Sequence, residues 1–481
     1  MNKAGYDTLN SGFYTLIDTW QSWYTGSVRK FHRYKMWNGK ERVTCKRLSL
    51  GMAKKISEDI ADLLLNERVQ ITIQDSTTSD FVMEVLNANN FFVVGNDYQE
   101  RKAYTGTVAY VPYLNNIRIN GNGDILTGSG DVKINYVSAE NIYPLSWCNG
   151  YISECAFVFP KVIGTKKYNH IQIHKIQDDE YVIENHVVEN TAGAGKEIPA
   201  SDWNSLKGFE SMAECVRTGS KERQFVIDRL NIVNNWNGDN PMGVAIFANS
   251  LDVLQGIDSI YDSYINEFTL GKKRIFVAPE MLGTDLYGNP VFDPDDVIFY
   301  QLPEGFLKDG GKPIESVDME IRAEQHEKGI NDSLNMLSMK CGFGQNHYRF
   351  ENGSIQTATQ VISENSDMFR SINKHELILE PVLKELIRII ARLGKVIGAS
   401  TNPETEIVVV FDDSIIEDIV RRIKKAGKIT STADYQINRL VEMGKSTEEV
   451  ERILKEALNA TYPEMFKLYD DIAEWQYVRD K

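Results

Sequence analysis

Residues 342–357 read GFGQNHYRFENGSIQT, a short polar loop with three glycines between two helical runs. The run after it carries Ala358, Val361, Ile362, Phe369, Ile372, Leu379, Val382, Leu383, Leu386, Ile390 and Leu393 on or near one side, the spacing of an amphipathic helix reaching almost to Gly398. Roughly 40 residues at 1.5 Å each would span about 60 Å, more than an ordinary domain is wide. Pro381 removes an amide donor and predicts a kink near Ile378 or Leu379. A rod of this length, approached through such a loop, predicts one wedge of a larger assembly.

Outward from the rod, residues 244–269 predict a helix with a heptad-like seam of Phe247, Leu251, Leu254, Ile257 or Asp258, Tyr261, Ile265 and Phe268. The chain returns along a helix over 317–341. Between them, 271–316 predicts a compact insert of strands and turns, so the whole reads as a stalk with a tip. Upstream, Leu48, Met52, Ile56, Ile60 and Leu63 recur at helical spacing, and further helices are expected over 81–89 and 91–104. Short alternating strands are expected at 108–111, 132–136, 156–159, 170–174 and 181–183, with glycine-rich turns at 120–124 and 128–131. Residues 190–222 read as loop. The last 70 or so residues predict capped helices: stops at Gly427 and Gly444, capping boxes at Ser431/Asp434 and Ser446/Glu449, and Pro463 at a helix start.

The chain has 481 residues, enough for several domains, and a formal net charge of −15. That sign argues against a sequence-specific DNA binder that grips phosphates and does not argue against a conduit along which a polyanion slides; acidity for solubility alone carries the larger weight. No run of 18 apolar residues predicts a membrane span, and residues 1–7 hold no apolar signal core, so export is not expected. Five scattered cysteines (Cys45, Cys148, Cys155, Cys215, Cys341) predict a reducing compartment without a disulfide framework.

Few motifs offer catalytic chemistry. Gly444-Lys445-Ser446-Thr447 looks like the end of a phosphate-binding loop, but Arg439 stands where the motif needs glycine. A helix stop followed by a capping box accounts for every residue there. His170 and His174 share a strand face without further metal ligands. Asp293, Asp295 and Asp296 around Pro294 read as solvated carboxylates in a turn. Trp20, Trp23, Tyr24, Phe31, Tyr34 and Trp37 interleave with Arg29, Lys30, Arg33 and Lys35. We weigh core packing of these aromatics above a nucleic-acid patch. No nucleophile, base and oxyanion site assembles, and no cofactor or metal is expected. The loop itself is the best candidate site. Gly344, Gln345, Asn346, His347, Arg349 and Asn352 offer freedom and donors suited to weak phosphate contacts that ignore base sequence.

Three segments resemble tailed-bacteriophage portal proteins, the head-to-tail connectors. They are 354–367 (SIQTATQVISENSD), 46–56 (KRLSLGMAKKI) running on to 65–67 (LNE), and 261–268 (YDSYINEF) followed by 271–274 (GKKR). They occur in the family's order and spacing, and the resemblance covers nearly the whole chain. It implies an α+β portal fold: wing 1–243, stem helices 244–270 and 317–341, and a small α/β clip 271–316 between them. It further implies a tunnel loop 342–356, a long kinked helix with the remainder of the wing over 357–411, and an all-α helical crown 412–481. The resemblance also implies a non-enzymatic, dodecameric ring at one capsid vertex of the virion, assembled in the host cytoplasm. Double-stranded DNA would thread it during packaging and ejection. Terminase and then a head-completion or adaptor protein would dock on the clip, with Lys272, Lys273, Arg274, Tyr287, Asp295 and Asp296 as interface candidates. Major capsid and scaffolding proteins would meet wing and crown, and no membrane is involved. The alternatives are an α+β enzyme acting on nucleic acid and a virion adaptor that forms no ring.

Overall fold

In the computed structural model the Asn10 side chain accepts the amide of Gly12 and opens α1 (Ser11–Tyr24), which buries Phe13, Ile17, Trp20 and Trp23 on one stripe. The structure describes residues 8–37, 41–65, 69–118, 125–190, 195–210, 212–271, 274–277, 299–301, 314–317, 321–349 and 358–411. The chain divides into a unit of 1–352 with 364–411 and a unit of 353–363 with 412–481. Of the second, only 358–363 at the start of a helix is described, and the expected crown lies outside the described residues.

After α1 a single turn, α2 (Arg29–His32), leads into an antiparallel hairpin of β1 (Arg33–Trp37) and β2 (Arg42–Lys46). The helix α3 (Met52–Leu64) buries Met52, Ile56 and Ile60 of the face its sequence spacing predicts, with Ala53 and Leu64 beside them, while Leu63 is half-buried and Leu48 exposed. β3 (Gln70–Ile73) precedes α4 (Ser76–Ala88), capped by the Asp75 carboxylate accepting from Thr78 N. The next helix, α5 (Phe91–Thr105), packs against α3.

Two sheets follow. β4 (Thr107–Asn115) pairs antiparallel with β5 (Asp131–Ser138) and, on its other edge, with β12 (Val226–Arg229). The second sheet is an antiparallel meander of β6 (Ile142–Cys148), β7 (Tyr151–Ile163), β8 (Lys166–Gln177), β9 (Glu180–Asn190) and β10 (Gly195–Ile198), with β11 (Cys215–Arg217) also on β9. Its turns explain its register. Asn149 (φ 49°) and Gly150 (φ 79°) link β6 to β7, and Asp178 (φ 53°) with Asp179 (φ 67°) link β8 to β9. Both are two-residue connections with positive φ at each position, the twist that matches paired strands. The expected loop over 190–222 therefore contains two short strands, which borrow their partner from β9 rather than from local alternation.

Residues 244–247 were expected to be helical, yet they run as buried irregular backbone, and α6 (Leu251–Leu270) begins after a short 3-10 turn. Tertiary bonds explain the shift. Gly243 N donates to Thr107 Oγ1 and Ile246 N to Ala103 O, both at 2.8 Å. Of the insert, the described residues form three strands: β13 (Arg274–Val277) pairs parallel with β14 (Phe299–Gln301) and antiparallel with β15 (Ile314–Val317). Val317 belongs to that strand, so the returning helix α7 (Ala323–Lys340) starts later than its spacing suggests.

The long helix α8 (Ala358–Val396) runs 39 residues, about 58 Å at 1.5 Å per residue. It passes through Pro381 unbroken. Pro381 and Leu377 are both exposed, so the Leu377 carbonyl that loses its amide partner faces water and can be hydrated. β16 (Ile407–Val410) then returns to pair antiparallel with β3.

Buried polar groups tie these layers together. Lys102 Nζ lies 3.0 Å from both Asp228 oxygens, and Gln99 Nε2 donates to Asp228 Oδ2 at 2.8 Å. Burial pushes the Lys102 amine below its usual range although Asp228 pulls the other way. Arg223 holds Glu385 of α8 in a two-pronged contact, 2.7 Å at each prong, and donates a third bond to Ile152 O.

Candidate functional site

The loop leaving α7 begins with a helix stop set by glycine. Gly342 (φ 85°) is left-handed; its N–H donates to Met339 O and the Phe343 N–H donates to Ser338 O. This is the paired-bond termination that favours glycine. Space requires glycine too, because a Cβ at position 342 would overlap Ser371 Oγ on α8.

From there the chain folds back onto its own unit. Phe343 is buried, the His347 ring stacks on it at 4.7 Å, and Tyr348 packs on both rings. Asn346 (φ 61°) donates its N–H to Asn335 Oδ1 at 2.9 Å. The Tyr348 hydroxyl donates to Asp59 Oδ2 of α3 at 2.7 Å, and its N–H reaches Ser338 Oγ at 3.3 Å. Burial first, and Asp59 second, hold the Tyr348 hydroxyl protonated far above its ordinary range.

Burial among these rings lowers the His347 pKa even though part of the ring remains open to solvent. The histidine is therefore neutral at pH 7 and contributes a hydrogen-bonding group, not a charge. Gln345 and Arg349 are exposed and Gly344 is buried. Within 342–349 Arg349 is the one charged residue. Asn352 lies outside the described residues.

The structure thus separates the sequence candidates into an anchored group and an exposed arginine. Phe343 and Tyr348, which the sequence reading did not single out as site residues, pin the loop. The Gly-Phe-Gly step with an aromatic five residues on was the available signal. Arg349 stands clear where described backbone ends.

For the insert, Arg274 opens β13, while Lys272, Lys273, Tyr287, Asp295 and Asp296 lie outside the described residues. The same holds for the Gly444–Thr447 motif. His174 is a core residue and His170 bonds Asn185 Oδ1 at 2.8 Å, so neither faces a ligand. Trp20 and Trp23 are buried as the packing reading requires, whereas Trp37 is 61% exposed. Among the described residues no three metal-ligating side chains cluster, and no helix is long and apolar enough to cross a membrane.

Helices joined to antiparallel sheets are what the resemblance to phage portal proteins leads one to expect. Residues 10–461, nearly the whole chain, match the family of phage portal proteins described as SPP1 Gp6-like, and the protein belongs to that family. No curated protein matches the chain. The family is a structural one, and phage portal function in general follows from membership.

Proposed function

We propose that the chain is one sector of a closed ring of about twelve copies at a single capsid vertex of the virion, assembled in the host cytoplasm. Double-stranded DNA passes through it inward during packaging and outward during ejection. The family match over 10–461 carries this reading. The loop chemistry supports it. A neutral His347 and a single exposed Arg349 per subunit give weak, exchangeable phosphate contacts that ignore sequence, which a sliding polymer requires.

In this reading α6 and α7 form the stem, the insert carrying β13, β14 and β15 forms the clip, and 412–481 the crown. The clip receives terminase, which supplies ATP hydrolysis, and later the head-completion or adaptor protein. Wing and crown contact the major capsid and scaffolding proteins. Class-averaged end views of the purified protein test the proposal: a perforated annulus of about twelve subunits supports it. A chain that stays monomeric or dimeric at high concentration, even with capsid and scaffolding proteins added, overturns it.

A further inference from the structure

The β1–β2 hairpin presents a charged face that no described residue answers with an ion pair. Register places Arg33 opposite Lys46, Lys35 opposite Thr44 and Trp37 opposite Arg42. Alternate residues share a face, so four cations and one indole crowd one side of a two-stranded ribbon. All six positions are exposed, Trp37 to 61%. Among the described residues none of the four cations makes an ion pair, and the Arg33/Lys46 pair sets like charges directly across the strands, an arrangement that weakens a ribbon already marginal alone. A counter-surface relieves both defects.

Helix geometry places the hairpin relative to α7 within the chain. The hairpin root is fixed to α6 through Asp258 and Asp262, which take His32 Nε2 and the amides of Leu48 and Leu50. On the same helix, Ile260 faces Gly329 of α7, Tyr264 faces His326, and Glu267 pairs with Arg322 and His326. At about 100° per residue, Ile260 and Tyr264 lie roughly 200° and 240° round from Asp258. Hairpin and α7 therefore occupy opposite flanks of α6, with the hairpin root level with the first half of α7. That half exposes Glu324 and Glu327; Ile321, two residues before α7, and Phe268 near the end of α6 are exposed too, to 38% and 47%. Neither carboxylate has an ion-pair partner among the described residues, and Lys328 is the one unpaired cation on the patch.

We propose that the basic face of the β1–β2 hairpin docks on the Glu324/Glu327 surface of a second copy of this chain. The idea rests on the ring reading above. A ring closes only through two different, complementary surfaces on each subunit, and a rotation carries each surface to the same level on the next copy. Here one flank of α6 is cationic with an exposed indole. The other is acidic with two exposed apolar side chains. In a chain of net charge −15, a neighbour's carboxylates meet the requirement without any other molecule.

A charge-swap cycle read by native mass spectrometry tests it. Arg33→Glu with Lys35→Glu, and separately Glu324→Lys with Glu327→Lys, should each lower the annular fraction at fixed concentration by roughly tenfold or more. The four substitutions together should restore it, which a misfolded variant would not do. Annuli in the parent that persist in both doubly substituted variants, or a fourfold variant that fails to recover, overturn the docking while the ring reading stands. A parent chain that forms no annulus overturns both. Annuli unaffected by Arg33→Glu with Lys35→Glu, but with lost retention of a short DNA duplex, assign the face to nucleic acid and overturn the proposal.

Discussion

His174 sits on β8 between the rings of Phe157 and Phe225, 5.4 and 5.3 Å away, and neither of its ring nitrogens has a hydrogen-bond partner among the described residues. Burial alone lowers its pKa to about 3. The unfolded chain therefore binds a proton near pH 6.5 that the folded chain refuses until about pH 3. Stability is complete above pH 6.5 and declines as pH falls, by about 1.4 kcal/mol per pH unit for one such group. His375, held neutral at about 3 by burial, adds a second contribution of the same sign, but its Nδ1 accepts the Asn231 amide at 3.1 Å. The two sites therefore predict different mutants. His174→Phe should leave stability at pH 7 unchanged or raised, and should remove about 2 kcal/mol of the loss between pH 7 and pH 5, where carboxylates barely titrate. Urea unfolding of parent and variant at the two pH values measures this, and an undiminished loss in the variant would show that His174 protonates freely when folded.

At the scale of elements, α6 is tied to the N-terminal arm by one helix face. His32 Nδ1 accepts from Val28 N at 2.9 Å, which obliges Nε2 to carry the proton it donates to Asp258 Oδ2, also at 2.9 Å. The second oxygen of Asp258 accepts from Leu50 N at 2.8 Å, and Asp262 takes Leu48 N at 2.9 Å. Asp258→Ala would leave a buried ring N–H and a buried amide unpartnered and should cost about 3–5 kcal/mol. Asp262→Ala strands one amide and should cost about 1–2 kcal/mol. Hydrogen exchange at Leu50 reads the difference, and equal protection in both variants would deny the clamp. The seam of α6 was legible as periodicity, but Asp258 was read there only as a substitute for Ile257, because hydropathy spacing marks a face and not the partner lying on it. The long helix, α3, α5 and the five central strands were equally legible, since each is longer than one period of its pattern. Missed were β1, β2, β3, β6, β10, β11, β12, β15 and β16. Most are short and take their hydrogen bonds from distant strands, as β16 does from β3, so local sequence holds little of their cause. Asn149-Gly150 is the turn signal between β6 and β7 that the sequence reading passed over. At the loop the polar donors were readable, while the anchoring by Phe343 and Tyr348 depends on Asp59 and Ser338, residues that only the folded chain brings near.

For the whole molecule, the proposed ring and the proposed docking of terminase make separable demands on the chain, and the insert is where they part. β13 and β15 are antiparallel neighbours whose far ends meet at Val277 and Ile314. Everything between them, 278–313, leaves and returns at one paired position, so two residues can replace it without moving α6 or α7. Asn-Gly suits the role because both residues tolerate the positive φ that a tight hairpin requires. The exchange also removes β14, leaving a two-stranded ribbon tethered at Arg274 and Val317 to the helix pair. The candidates Tyr287, Asp295 and Asp296 go with the excised stretch, whereas the hairpin face and the Glu324/Glu327 surface remain. Subunit contacts along the stem should then persist, and annuli should form as in the parent at matched concentration. Terminase binding, measured on those annuli by co-sedimentation, should fall below detection. Annuli that still bind terminase would move the docking surface off the insert and onto the wing or crown. Loss of the annuli themselves would mean that the insert is part of the ring contact, and the stem alone does not hold the subunits together.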